Sequence, residues 1–480
     1  MAIARKVAYN VVVSSISKVI STILALVAIG FITRYLGKEG FGNYATVLAF
    51  LSFFASIADL GLYHISTREI SRADANEKKI MGNIFALRVT SALAILIISP
   101  LVVIFFDYPL EVKQGIVIAA ASFLFSSAYQ VLNGIFQKNL AMDRVAIGEL
   151  LGKIVQVATI IAAVKLRLGF DWIIASLLFN MIVSFILVFF WSKKYLNFSL
   201  QFDFAYWKIF LKESLPIGIG SVIVFIYFKI DTIFLSIMKT SSDVGIYNAA
   251  YKVLENITFF PSMVVGLILP IMSNTIFTDK KSFTDVADKT FRFFFLMITP
   301  IIIGTIFLAD GIIRLIGGGQ FEASADVLRI LIFALASIFF GIFFNNILIA
   351  GNMQKKLLYI WSTAAIANVL LNLFLIPKFS YFAAAYISFF TEFLVAALSF
   401  YFVATKIKYY PSIKNLGGIV LSGLAMLVFL LVFKKYSFFI LAPSSALVYL
   451  LFLWIFRAVK TNEILSLISK KGVQEYEELP

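Results

Sequence analysis

The sequence predicts an all-α polytopic membrane protein with about 14 transmembrane helices. Of its 480 residues, 61% are hydrophobic and 14% are charged, which is more apolar surface than a soluble chain can bury. Apolar runs of roughly 20 residues recur along the chain, and each is long enough to cross a membrane as a helix. The strands of a membrane barrel would alternate polar and apolar residues, and these runs do not.

The apolar runs are separated by short hydrophilic loops. They are predicted at residues 11–33, 41–63, 84–106, 115–136, 146–165, 171–191, 214–238, 246–270, 291–309, 328–350, 357–377, 381–403, 415–433 and 438–458. The domain prediction is a six-helix N-lobe (1–200), a cytoplasmic interfacial linker helix (201–213), a six-helix C-lobe (214–405), and two further helices with a cytoplasmic tail (406–480). The linker is predicted to lie on the membrane surface because its aromatic residues share one helical face.

The distribution of Lys and Arg predicts the orientation. With the N-terminus inside, roughly 25 basic residues fall on the cytoplasmic side and 11 on the other. The chain is therefore expected in the cell (cytoplasmic) membrane with both termini in the cytoplasm. The net charge of +15 is spread over these loops, which favours contact with anionic membrane lipids and argues against nucleic-acid binding.

Two pairs of stretches indicate an internal duplication. "GFGNYATVLAFLSFF" (40–54) and "DVGIYNAAYKVLENI" (243–257) each begin a span with Gly-x-Tyr, so that Gly42 corresponds to Gly245. "NGIFQKNLAMDR" and "NNILIAGNMQKK" each end one span and turn into the next. The nearly equal offsets predict two parallel-repeat six-helix lobes around a central cavity, plus two C-terminal helices.

Charged residues inside the spans identify candidate site residues, because each costs roughly 2.5–3.5 kcal/mol to insert at the membrane centre. Lys229 and Asp231 lie two residues apart, about 200° around a helix, and cannot neutralise each other. Lys18 and Lys229 belong to the first helix of each lobe, so both are expected to face the cavity and bind an anionic, phosphate-bearing ligand. Asp231 is the one carboxylate nominated for ion coupling.

Four further charges have intrahelical or membrane-surface explanations. Glu149 and Lys153 are four residues apart and are predicted to form a structural ion pair within the membrane. Lys252 has a glutamate three residues away but is also a candidate for the cationic cavity. Arg88, near the cytoplasmic end of its span, either extends to the membrane surface or joins the same cavity.

With these residues in view, the chain resembles the polysaccharide-transport branch of the multidrug/oligosaccharidyl-lipid/polysaccharide (MOP) superfamily, the O-antigen-type flippases. The stretches that carry the resemblance are "TRYLGKEGFGNYATVLAF", "ADLGLYHISTREI", "SLPIGIGSVIVFIYFKIDTIFLSIM", "DVGIYNAAYKVL" and "IANVLLNLFLIPKFSYFAAAYIS". The resemblance implies flipping of polyprenyl-diphosphate-linked oligosaccharides and a cationic cavity containing Lys18, Lys229 and Lys252. One departure is Ser380-Tyr381, where relatives usually have glycines.

Other functions fit the sequence less well. A cation/drug antiporter of the multidrug extrusion branch would need acidic residues in its cavity. A membrane glycosyltransferase, ligase or polymerase would need a larger extramembrane loop. No nucleotide fingerprint or zinc-ligand spacing occurs, and cysteine is absent, so no cofactor or metal is expected. The expectation is a non-enzymatic, monomeric transporter that can contact polysaccharide assembly proteins.

Overall fold

A computed structural model describes residues 2–59, 61–72, 76–414 and 416–458, and no strand occurs among them. The predicted cytoplasmic tail (459–480) lies outside the described residues. The α-helices are α1 Ala2–Asp59, α2 Leu62–Ile70, α3 Glu77–Val103, α4 Leu110–Lys138, α5 Met142–Leu166, α6 Phe170–Ser192, α7 Phe204–Met238, α8 Ser241–Ile257, α9 Phe259–Thr275, α10 Lys280–Gly317, α11 Ala323–Ala350, α12 Gln354–Phe402, α13 Gly417–Val432 and α14 Phe438–Ile455.

The described residues contain 11 helical segments long and apolar enough to cross a membrane. Two of them are kinked, α1 at Gly37 and α12 at Ser380, where the backbone leaves the helical region. Counting each kinked helix as two spans, and adding the shorter apolar helix α13, gives the fourteen spans that hydropathy predicts. The fold-class prediction is confirmed.

The ends of the helices repeat in the two halves of the chain. Helices α4 and α11 end five residues after Asn133 and Asn345, and helices α5 and α12 begin nine residues after the same asparagines. The turns also match, because Leu140 and Asn352, seven residues after each asparagine, have φ angles of 50° and 58°. The duplication predicted from sequence thus extends to backbone conformation.

The chain divides into two compact units. The first comprises Met1–Lys252, Arg314–Ser324 and Trp361–Ser388, and the second comprises Val253–Ile313, Ala325–Ile360 and Phe389–Pro480. In the second unit, the C-terminal helices α13 and α14 pack on α10: Tyr449 donates a hydrogen bond to the carbonyl of Leu296 at 2.8 Å. The division into lobes proposed from sequence stays a prediction.

The linker helix is continuous with the span that follows it. Helix α7 runs for 35 residues from Phe204 and contains Pro216. Asp203 caps its first turn by accepting a hydrogen bond from the backbone N–H of Tyr206 at 3.1 Å. Trp207 and Phe210 are buried in the apolar core of the first unit. The linker is therefore anchored through its aromatic face.

Ser380 has a backbone conformation that favours glycine. Its φ of 50° and ψ of −133° lie in a region where a Cβ is strained, and its buried hydroxyl has no hydrogen-bond partner among the described residues. The first half of the chain has a glycine close to the corresponding position, Gly169, where φ is 90°. The departure noted in the sequence thus coincides with local strain.

We expect Ser380→Gly to stabilise the protein. The change relieves a strained backbone worth about 1–3 kcal/mol and removes an unsatisfied hydroxyl, so the melting temperature in detergent should rise by a few degrees. The matched control is Ser337→Gly in the regular helix α11, which should lower the melting temperature because glycine weakens a helix interior. Equal shifts for both variants would contradict the assignment of strain.

Candidate functional site

Helices α1 and α5 lie side by side and run in the same direction. Near one end, Asn10 accepts a hydrogen bond from the backbone N–H of Asp143 at 2.9 Å, in the first turn of α5. Near the other end, the Tyr35 hydroxyl accepts one from the N–H of Gly169 at 3.0 Å, just beyond α5. These two contacts fix the relative depth of the two helices.

Lys18 of α1 lies on the face opposite an exposed apolar stripe of the same helix. Val12, Ile16 and Ile23 are the exposed apolar residues of that stripe, each more than half exposed. Lys18 is also exposed, but at 100° per residue it lies about 240° around the helix from Val12. Ser14 shares its polar face, so Lys18 projects toward the interior of the bundle.

Helix α5 has the same arrangement. Ile147, Leu151 and Ile154 form its exposed apolar stripe. Glu149 and Lys153 lie about 200° and 240° around the helix from Ile147, on the face turned away from lipid. The charged faces of α1 and α5 are therefore both directed inward.

The predicted partners Glu149 and Lys153 each have another hydrogen bond. Glu149 accepts one from the hydroxyl of Tyr129 at 2.6 Å. The ammonium group of Lys153 donates to the amide oxygen of Gln156 at 3.0 Å. Both side chains therefore bond to neutral groups, and neither of these contacts is the intrahelical ion pair expected from the spacing.

Three lysines of the first unit lie near one another, and a fourth lies over the residue that precedes one of them. The charge of Lys153 is close enough to those of Lys252 and Lys18 to be repelled by both. The Lys229 ammonium lies 4.6 Å from the ring centroid of Tyr251, the residue next to Lys252. We call Lys18, Lys153, Lys229 and Lys252 the lysine cluster. Such a concentration of positive charge in a membrane protein favours an anionic ligand.

Arg88, expected either at the membrane surface or in the cavity, lies instead in the interior of the first unit. Its side chain is fully buried and donates hydrogen bonds to the carboxylate of Asp59 at 2.5 Å and to the amide oxygen of Gln130 at 2.7 Å. A guanidinium neutralised in this way links helices α1, α3 and α4. We therefore assign Arg88 a structural role.

Asp231 is surrounded by polar side chains from two other helices, α8 and the kinked α12. Its side chain is 1% exposed, and its carboxylate accepts hydrogen bonds from Asn372 at 2.8 Å, Ser388 at 2.6 Å and Tyr247 at 3.2 Å. The amide oxygen of Asn372 is buried and has no hydrogen-bond partner among the described residues. The site thus surrounds one buried carboxylate with hydroxyl and amide groups that donate hydrogen bonds to it.

Helices α1 and α8 touch through their backbones at the two glycines that correspond in the repeat. A Cβ on Gly42 would overlap the carbonyl oxygen of Ser241, and one on Gly245 would overlap that of Lys38. Only glycine permits this approach. Tyr247, two residues after Gly245, connects the crossing to the Asp231 site.

The crossing of α1 and α8 lies at one end of the first unit. The distribution of Lys and Arg predicts that this end faces the outside of the cell. Beside it, the hydroxyl of Thr33 donates to the carbonyl of Ile316 at 2.7 Å, and Arg34 donates to that of Leu315 at 2.8 Å. In this structure α1 is therefore closed against α8 and against residues 314–324.

Sequence reasoning nominated Lys18, Lys229, Lys252 and Asp231, whose roles stay predictions, and it missed the partners of Asp231. One signal for them was available, because Asn368 and Asn372 stand four residues apart in the apolar run "IANVLLNLFLIP" and share a helical face. The position of Lys153 beside Lys18 and Lys252 carried no comparable signal, since a glutamate at the favourable spacing explained it equally well.

The sequence matches known proteins of surface polysaccharide synthesis. A family profile described as "Polysaccharide biosynthesis protein" matches residues 7–276. The capsular polysaccharide biosynthesis protein CapF of Staphylococcus aureus is 24% identical over 289 residues, which are 59% of this chain and 72% of CapF.

Solved structures of the MOP superfamily share the fold. The lipid II flippase MurJ, in an inward closed conformation, superposes with a TM-score of 0.75 at 18% identity, covering 93% of this chain and 98% of that one. A multidrug resistance MATE family transporter, in an inward-facing conformation, gives a TM-score of 0.67 at 15% identity, covering 83% and 98%. The structural neighbours are transporters and flippases.

Proposed function

Since the chain belongs to the polysaccharide biosynthesis protein family and has the fold of the MOP superfamily, we propose that it is a flippase for lipid-linked saccharides. Its substrate would be a polyprenyl-diphosphate-linked oligosaccharide, carried from the cytoplasmic to the outer face of the cytoplasmic membrane for export of a surface polysaccharide. The protein would work without chemical change of the substrate, as a multi-pass transporter with both termini in the cytoplasm.

The lysine cluster is the observation that carries this proposal. Ammonium groups at mid-depth would hold the diphosphate while the polyprenyl chain stays in the bilayer. Lysine suits this task because it is a mobile point charge that can follow a phosphate group. The same cluster disfavours a cation or drug antiporter, since positive charge in the cavity repels a cationic substrate.

Alternating access would supply the movement. With α1 and α8 closed at Gly42 and Gly245, the lysine cluster would be reached from the cytoplasmic side. Opening that crossing would release the headgroup to the outside. The close glycine contact supports this mechanism, because a backbone contact without intervening side chains can separate and re-form with little repacking.

Reconstitution in lipid vesicles tests the proposed function. Purified protein should move a labelled polyprenyl-diphosphate oligosaccharide between leaflets, measured by enzymatic accessibility of the sugar at the outer surface. Vesicles with the lipids alone provide the background rate. If the labelled lipid stays on its original leaflet at a protein density of several copies per vesicle, the proposal fails.

The proposal assigns ion coupling to Asp231, and its oxygen-rich surroundings suit a monovalent cation such as Na+. Replacing choline chloride with sodium chloride should stabilise the wild-type protein by about 1–3 kcal/mol at saturating salt. Asp231→Asn should abolish this sodium response, as measured by thermal unfolding in detergent, while Asp243→Asn in the first turn of α8 should retain it. A sodium response that survives in Asp231→Asn would remove ion coupling from this residue.

A further inference from the structure

Lys153 carries a charge for which the described residues supply no carboxylate partner. Its ammonium group donates to the neutral amide of Gln156, and no ion pair of the described residues includes it. The nearest carboxylate along the helix, Glu149, is held by Tyr129. An ammonium group inside a membrane protein without a counter-charge is costly, and its two neighbouring lysines raise that cost.

The position of this ammonium group is fixed by a close-packed pair of helices. Gln156 also accepts a hydrogen bond from Asn180 of α6 at 3.1 Å, so one amide oxygen holds Lys153 and joins the two helices. At Gly152 a Cβ would overlap the side chains of Asn180 and Ser184, which shows how closely α5 and α6 approach. The charge is thus held in place by packing and hydrogen bonding.

Lys153 also lies at the depth of Lys18. Lys18 follows Asn10 by eight residues, and Lys153 follows Asp143, the hydrogen-bond partner of Asn10, by ten. At a rise of about 1.5 Å per residue the two lysines differ in depth by only about 3 Å. Because both face the interior from neighbouring helices, one anionic group can contact both.

We infer that Lys153 is a further anion-binding residue of the lysine cluster and contacts the same phosphate-bearing headgroup as Lys18. The inference rests on the proposed function and deepens it, since it adds the helix pair α5–α6, in the first half of the chain, to the binding site. In this role the missing counter-charge is supplied by the substrate. Glu149, four residues away, accepts a hydrogen bond from Tyr129.

Binding of farnesyl diphosphate to the purified full-length protein tests the inference. Isothermal titration calorimetry in detergent should show that Lys153→Gln weakens binding about tenfold or more, because a charge-assisted contact is lost. Lys153→Arg, which retains the charge, should bind within a few-fold of wild type. The matched control is Lys165→Gln, the same change at the exposed end of the same helix, which should leave the affinity unchanged.

Thermal unfolding of the same variants provides a second measurement. If Lys153 serves the ligand rather than the fold, Lys153→Gln should raise the melting temperature of the ligand-free protein, because it removes an uncompensated charge. A structural lysine would give the opposite sign. The inference is overturned if Lys153→Gln binds farnesyl diphosphate as tightly as Lys165→Gln does. It is also overturned if Lys153→Gln lowers the melting temperature without changing the affinity.

Lys18→Gln separates this inference from the proposed function. If Lys18→Gln weakens binding and Lys153→Gln does not, the role of Lys153 is refuted and the proposed flippase site stands. If farnesyl diphosphate binds wild type and all cluster variants equally, the lysine cluster is not a diphosphate site, and both proposals lose their basis.

Discussion

Lys229→Ala is expected to slow transport severely while leaving expression and folding intact. Lys229 lies in the lysine cluster above the ring of Tyr251, and in the proposed mechanism its ammonium group contacts the diphosphate. Loss of a hydrogen bond to a charged group costs about 1.5–3 kcal/mol. Because each 1.4 kcal/mol is a factor of ten, the flipping rate in vesicles should fall by about one to two orders of magnitude.

The matched control is Lys239→Ala, just past the end of the same helix. Lys239 donates to the backbone carbonyl of Pro377 at 2.8 Å, away from the cluster. It should flip lipid at close to the wild-type rate, and Lys229→Arg should retain part of the activity because it keeps the charge. Normal transport by Lys229→Ala would remove the principal residue of the proposed site.

Gly42→Ala should have the largest effect on conformation. The added methyl group cannot fit against the carbonyl of Ser241, so α1 and α8 must separate at this point. Overpacking of this kind costs about 1–3 kcal/mol, so the ratio of closed to open form should fall by about five- to 150-fold. The variant should therefore favour the form in which the predicted external side is open.

Cysteine labelling can measure this shift, because the chain has no cysteine of its own. Ala249, one turn below Gly245, is 1% exposed, and a cysteine introduced there should react slowly with a membrane-impermeant maleimide added outside. In the Gly42→Ala background the labelling rate should rise about tenfold. Gly220→Ala is the control, since nothing lies within 4 Å of a Cβ at that position.

Equal labelling of Ala249→Cys in all three backgrounds would show that the glycine crossing does not control access from outside. Gly245→Ala should reproduce the effect of Gly42→Ala, because its Cβ would overlap the carbonyl of Lys38. An effect at only one of the two glycines would argue against a contact shared by both halves of the repeat.

The number of spans and the duplication were accessible from sequence. Each span must bury its backbone in hydrocarbon, so its length and apolarity are visible in the order of residues alone. The helical period likewise places Lys229 and Asp231 on different faces of one helix. The structure agrees with this placement: Lys229 lies over Tyr251, whereas Asp231 is hydrogen-bonded within a buried polar site.

The partners of the charged residues were decided by tertiary structure. Asp231 accepts hydrogen bonds from Asn372 and Ser388, which stand 141 and 157 positions further along the chain. Glu149 accepts a hydrogen bond from Tyr129 rather than pairing with Lys153, four residues further along its own helix. Hydropathy shows that a helix crosses the membrane, but not how far it is rotated or how deeply it sits. Rotation and depth follow from packing between helices, such as the glycine contact of α1 with α8, and they determine which charges meet.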